Sequence, residues 1–184
     1  MRKVFFTFLL ALLSPLLHAQ EVSLSTNLLD YAALGTMNID ASYSLSRRWS
    51  IVAGARYNPF TFRKGDQENQ FQLRQQSYAV GARIWWWHTT SGWWTTSKLR
   101  YQEYNSGGII SKQTQEGDRV GLGFSVGYTY MLSRHFNLEF GAGLWTGADF
   151  FHKYSCTVCG TTIDAGIKWF VLPDDLAVSL VYVF

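Results

Sequence analysis

The sequence predicts an all-β fold, an eight-stranded antiparallel up-and-down transmembrane β-barrel. Three observations carry this: a secretory leader, repeated runs of strict apolar–polar alternation, and no later apolar stretch long enough for a spanning helix. With 184 residues the chain holds one structural unit. Charged residues make up 16% and aromatic residues 17%, a charge-poor, ring-rich balance that argues against an ordinary cytosolic enzyme. The net charge of +3 includes Arg2 and Lys3 of the leader, so no nucleic-acid partner is expected.

The leader opens on Arg2 and Lys3, continues as an apolar run over residues 4–13, and ends through Ser14 and Pro15 at the small residue Ala19. That run is shorter than the ~20 residues a spanning helix needs, and no basic stop-transfer cluster follows. Residues 1–20 are therefore read as a signal peptide and residues 21–184 as one outer-membrane barrel domain.

After a weaker first strand around residues 22–31, alternation becomes strict. Met37, Ile39, Ala41, Tyr43 and Leu45 oppose Thr36, Asn38, Asp40, Ser42 and Ser44; beyond a short turn at residues 46–48, Trp49, Ile51, Ala53, Ala55 and Tyr57 oppose Ser50, Val52, Gly54, Arg56 and Asn58. Tyr78, Val80, Ala82, Ile84 and Trp86 oppose Ser77, Ala79, Gly81, Arg83 and Trp85; Trp93, Leu99 and Tyr101 oppose Thr96, Lys98, Arg100 and Gln102. Val120, Leu122, Phe124, Val126, Tyr128 and Tyr130 alternate with glycines, Ser125 and Thr129; Phe136, Leu138, Phe140, Ala142 and Leu144 alternate with Asn137, Glu139, Gly141, Gly143 and Trp145. Leu176, Val178, Leu180, Tyr182 and Phe184 close the chain. No tandem repeat or helix-period segment interrupts this rhythm.

Sidedness decides the class. An interior bounded by about eight strands is only just wide enough for modest side chains. The bulky apolar row therefore faces lipid, and the glycine, serine, threonine and asparagine row faces a narrow interior. Turns at residues 46–48, 88–92 and 132–135 are short, whereas connections at 59–76, 105–118 and 148–175 are expected to be long surface loops. The aromatics then sort by depth. Tyr43, Trp49, Trp86, Trp93, Tyr128, Tyr130, Phe136, Tyr182 and Phe184 form a periplasmic girdle, and Tyr57, Tyr78 and Tyr101 form an outer one.

The final segment LAVSLVYVF, ending in Phe184 with Tyr182 two positions earlier, resembles the signal by which outer-membrane barrels reach their assembly machinery. The segments RRWSIVAGARYNPFTF, SYAVGARIWWWH, GFSVGYTYMLSRHFNLEFGAGLW and YSCTVCG resemble an uncharacterised family of small bacterial outer-membrane barrels, whose genes often accompany fimbrial-subunit genes. The distinctive parts are the Tyr57, Asn58, Pro59 turn and the Tyr154, Cys156, Cys159, Gly160 cluster; VLPDDLAV departs from the family's glycine and lysine. The resemblance implies an OmpA/OmpX-like barrel fold and an outer-membrane location, and supplies no activity.

Cys156 and Cys159, the only cysteines, fall in the predicted last surface loop. An exported pair points to a disulfide; a metal site with His152, Asp149 or Asp164, or a redox centre, are the alternatives. On the interior face Asp40, Arg56, Arg83, Lys98, Arg100 and Glu139 are expected to form an ion-pair network with Asp40 and Glu139 as acceptors.

The expected function is a non-catalytic scaffold, anchor or assembly partner, with no cofactor. Its expected partners are outer-membrane lipid, the barrel-assembly machinery and fimbrial or other surface proteins. The alternatives are a lipid-modifying enzyme built on His152 with Ser155 and Asp149, or a small-solute channel.

Overall fold

A computed structural model describes residues 22–64, 70–108, 113–156 and 161–184; the leader read at residues 1–20 and Cys159 lie outside the described residues. The elements are β1 (Val22–Asn27), α1 (Leu28–Ala32), β2 (Met37–Ser44), β3 (Trp49–Asn58), β4 (Thr61–Phe62), β5 (Phe71–Trp85), β6 (Gly92–Gly107), β7 (Thr114–Met131), β8 (Phe136–Tyr154) and β9 (Thr162–Val183). All pairings are antiparallel. The sheet runs β3-β2-β1-β9-β8-β7-β6-β5-β4, and pairing of β3 with β5, from Trp49↔Ile84 to Asn58↔Gln75, closes it into an eight-strand barrel with β4 as a short flap.

Closure is staggered. The ladder passes from Ser25 through Asp40, Gly54, Ala79, Arg100, Gly121 and Gly147 to Phe170, yet the residue of β9 beside Ser25 is Val181. Strands that return to a different register on closing must tilt against the barrel axis.

The alternation read in the sequence becomes two surfaces. Ile39, Ile51, Val80, Leu99, Leu122, Phe124, Phe140, Leu144 and Leu180 are all exposed, forming an apolar belt round the outside. Rings cluster at its short-turn edge: Trp86 and Trp93 lie 6.3 Å apart, Trp93 and Tyr128 5.3 Å, Phe136 and Tyr182 5.2 Å, and Tyr182 and Phe184 5.0 Å. Trp49 and Tyr130 are exposed on the same belt, and Tyr43 sits half-buried opposite Ile51. Tyr57, Tyr78 and Tyr101 are exposed towards its other edge.

The structure corrects the sequence reading in four places. The first strand does not reach Tyr31: it stops at Asn27, whose side chain accepts from the Leu29 backbone N–H (3.1 Å) and starts the one-turn helix α1. The long loops are mostly strand, since β6 runs to Gly107, β7 starts at Thr114, β8 runs to Tyr154 and β9 starts at Thr162.

The wall is correspondingly uneven. β1 has 6 residues and β2 has 8, against 18 in β7, 19 in β8 and 22 in β9. In β9 the alternation changes phase at a bulge opposite Gly141 and Gly143. Even-numbered residues from Leu176 on are exposed or half-buried on the outer face, whereas before it Val171, Trp169 and Ile167 are outside and Phe170 and Asp174 are buried.

The third correction concerns volume. The lumen holds rings as well as small residues: Trp85, Trp94, Trp145, Tyr104 and Phe170 are buried within it. Glycines make the room, and a Cβ at Gly127 would overlap the Trp94 indole. Gly127→Leu should therefore cost about 1–3 kcal/mol through overpacking, measured as a lower urea midpoint in detergent micelles; an unchanged midpoint would mean the indole has slack. The fourth correction is Asp40, taken up next.

Candidate functional site

The interior charges fall into three tiers, each joining a carboxylate, a guanidinium and an aromatic ring. Nearest the short turns, Arg83 of β5 reaches Glu139 of β8 through Nη1, 3.0 Å from Oε1 and 3.1 Å from Oε2. Thr129 donates to Glu139 (3.0 Å), Arg83 Nε donates to Thr96 Oγ1 (3.1 Å), and the guanidinium lies 4.1 Å from the centre of the Trp94 ring. Trp85 donates its indole N–H to Ser50 (2.9 Å). Burial next to a ring face favours the charged guanidinium only where a carboxylate answers it, as Glu139 does.

In the middle tier the acceptor is Asp174, not Asp40. Arg100 of β6 bonds to Asp174 of β9 and lies over Trp145. Arg56 of β3 approaches the same Oδ1 at 3.5 Å and pairs with Asp30 of α1 at 2.8 Å. Asp40 instead rests over Gly54 and forms no ion pair among the described residues. Its strand is two places from β9, and the bulge turns Asp174 inward at the level the arginines reach. Lys98 is buried on the same face, between Thr96 and Arg100.

The third tier surrounds Asp149, which is 0% exposed. It accepts from the Tyr104 hydroxyl at 2.8 Å and is ion-paired with Arg119 Nε at 3.3 Å and Lys168 Nζ at 3.5 Å, while Arg119 stacks 3.6 Å from the Tyr104 ring centre. The sequence reading placed Asp149, Lys168 and Asp174 in a loop and so missed them as interior groups. The usable signal was the run from Ile163 to Val171, apolar at every odd position once a phase change is allowed.

These ties join walls that do not touch as strands: β5 to β8, β6 to β9, β3 to β9. Chemically the tiers pin their carboxylates with donors, so none is presented as a free base. Their geometry is that of cross-braces.

At the end opposite the short turns, a cleft of about 520 Å3 opens between Tyr57, Arg74, Glu103, Glu116, Asp118 and His152. Two of its carboxylates are occupied: Tyr101 donates to Asp118 (2.6 Å), and Asn105 and Tyr154 donate to Glu116 (2.7 and 2.6 Å). The bond to Glu116 pushes the Tyr154 pKa up, because ionising the phenol would remove its proton and set two anions side by side.

Asn58, in the Tyr57, Asn58, Pro59 turn, is buried and ties this end together, donating to Thr36 Oγ1 (3.0 Å) and accepting from the Phe60 N–H (3.0 Å). Cys156 is disulfide-bonded, and Cys159 lies outside the described residues. His152 is exposed, three positions from the buried Asp149 and hence on the opposite face of β8. Among the described residues no group of three or more histidines, cysteines and carboxylates could hold a metal ion.

A closed eight-strand antiparallel barrel, apolar outside and cross-braced by charge inside, is the class these features define. The chain belongs to the family described as "Protein of unknown function (DUF3575)", whose model matches residues 5–184. No curated protein and no solved structure matches it.

Proposed function

We propose that this chain is a non-catalytic bacterial outer-membrane barrel that serves at the cell surface as a scaffold, anchor or assembly partner, with fimbriae or other surface proteins as the structures it would serve. The observation that carries the reading is the inversion of the usual burial rule. Large apolar side chains are exposed all round the wall while Lys98, Arg100, Glu139, Asp149 and Asp174 are buried inside. Water would disfavour such a surface, and acyl chains would not. The leader read at residues 1–20 fits export.

Three tiers whose carboxylates Glu139, Asp174 and Asp149 are already engaged favour a structural role over a hydrolase, and His152 faces away from Asp149. Side chains crossing the lumen at three levels disfavour a channel.

Separating inner from outer membranes tests the location. The chain should enter the outer fraction and migrate faster on SDS gels before boiling than after, and a soluble or inner-membrane chain would refute the reading. His152→Ala should leave the envelope lipid profile unchanged, and planar bilayers holding the protein should stay silent. A changed profile or a steady conductance would replace the scaffold with an enzyme or a pore.

A further inference from the structure

We infer that the free edge of β9 at residues 162–172 is a docking edge that accepts an extended strand of another polypeptide outside the cell, laid in line with β1. This rests on the outer-membrane reading, which puts that end of the barrel outside. Along one edge β9 is paired with β8 as far as Tyr154↔Thr162. Along the other it is paired with β1 only from Ser179 to Val183. There the chain leaves the sheet: Asn27 donates to the Leu176 carbonyl (3.1 Å), accepts from the Val178 N–H (3.1 Å), and hands over to α1. Beyond that point no strand among the described residues pairs with this edge. A row of backbone N–H and C=O groups without partners is a template for another strand.

Protective features are sparse along this stretch. Pro173 and the bulge lie at its base, and above them Asp164 and Lys168 are the only charges. Every residue from 161 to 169 is exposed. The outward row is apolar throughout: Ile163, Ala165, Ile167, Trp169 and Val171, with Ile167 at 70% and Trp169 at 72% exposure and Phe150 of β8 paired with Ile167.

This row lies beyond the apolar belt. The ladder that leads to Trp169 passes through Tyr101, in the belt's outer ring, and the stagger carries it further from the short turns at each strand. Acyl chains would not reach so far, and they could not satisfy backbone groups in any case. An apolar face of a folded partner would cover the rings and leave the edge open. An extended strand with apolar side chains at alternate positions satisfies both.

Charge adds one detail. Lys168 is held by Asp149 and by Gln115 (3.2 Å), whereas Asp164 has no ion pair among the described residues, so the incoming strand should carry a basic residue opposite Asp164. A second copy could match this pattern by pairing antiparallel about Gly166, with Asp164 opposite Lys168 of the copy. Antiparallel pairing would, however, point the two barrels in opposite directions, which one membrane cannot hold. The partner is therefore a different chain.

The test uses the full chain in its own host, with photoreactive p-benzoylphenylalanine placed singly at Ile163, Ile167, Trp169 and, as a belt control, Phe124. The shift between unboiled and boiled samples reports insertion separately, so failure of docking is distinguishable from failure of the outer-membrane reading. We expect the three β9 positions to cross-link to a single polypeptide, at sites that step along one segment in register with their spacing, and Phe124 to give none of that product. Ile167→Lys combined with Trp169→Lys should cut the product from position 163 by about tenfold, a loss on the order of 1.4 kcal/mol of docking energy. Adducts confined to lipid or to the chain itself, adducts scattered over many proteins, or adducts between isotopically distinct copies would each overturn the inference.

Discussion

Asp174→Ala should destabilise the folded barrel by about 3–5 kcal/mol, the range seen when one partner of a buried ion pair is removed. Its side chain is 1% exposed and receives Arg100, whose own side chain is 7% exposed, with Arg56 3.5 Å away. Without the carboxylate, Arg100 would lose that acceptor while buried beside the Trp145 ring, whereas Arg56 would still hold Asp30. The loss should appear as a lower urea midpoint with an unchanged slope. Asp40→Ala, which removes a half-buried carboxylate with no ion pair among the described residues, should cost less than about 1 kcal/mol. Replacing both partners, Arg100→Met with Asp174→Leu, should recover most of the loss, because the buried guanidinium leaves together with its acceptor. Equal costs for Asp40→Ala and Asp174→Ala would contradict the tier described around Asp174.

Much of the wall was legible because period-two alternation leaves each residue only two places to go. That parity put Arg83 and Glu139 on the inner face from strands 56 residues apart, and the structure brings them within hydrogen-bond distance. The first strand was misjudged where Leu28 and Leu29 stand side by side: two adjacent apolar residues break the period, and Asn27 is a natural helix cap. β6 and β7 extend past their apolar rows because Glu103 and Asp118 take the outer face beyond the belt, so a polar stretch that reads as loop is still strand.

The bulge hid most. By inserting one residue it shifts the phase, so Phe170 and Asp174 read as belonging to the outer face when the pattern is extended back from Leu176. The inward tryptophans followed a different logic. Parity put Trp85 and Trp145 inside, but only the glycines across the lumen explain how such rings fit, and opposite positions cannot be known before the register is.

Phe124→Arg should abolish accumulation of the folded barrel in the membrane, while Ser125→Ala, one residue away, should not. On the proposed reading Phe124 lies within the apolar belt, 56% exposed and between Leu122 and Val126 on β7, so a guanidinium there would sit among acyl chains. Near the midplane that costs about 2–4 kcal/mol, a large share of the few kcal/mol by which folded domains are stable. Ser125 points the other way, is buried, and is small enough that losing its hydroxyl removes little packing. The cost at position 124 should also depend on depth: Tyr128→Arg, nearer the short turns, should cost less, since a long basic side chain there can reach the interface. Folding into vesicles, followed by the unboiled-gel shift, would rank the three variants. If Phe124→Arg folds normally and Ser125→Ala does not, the two faces of the wall are reversed and the barrel is a soluble one.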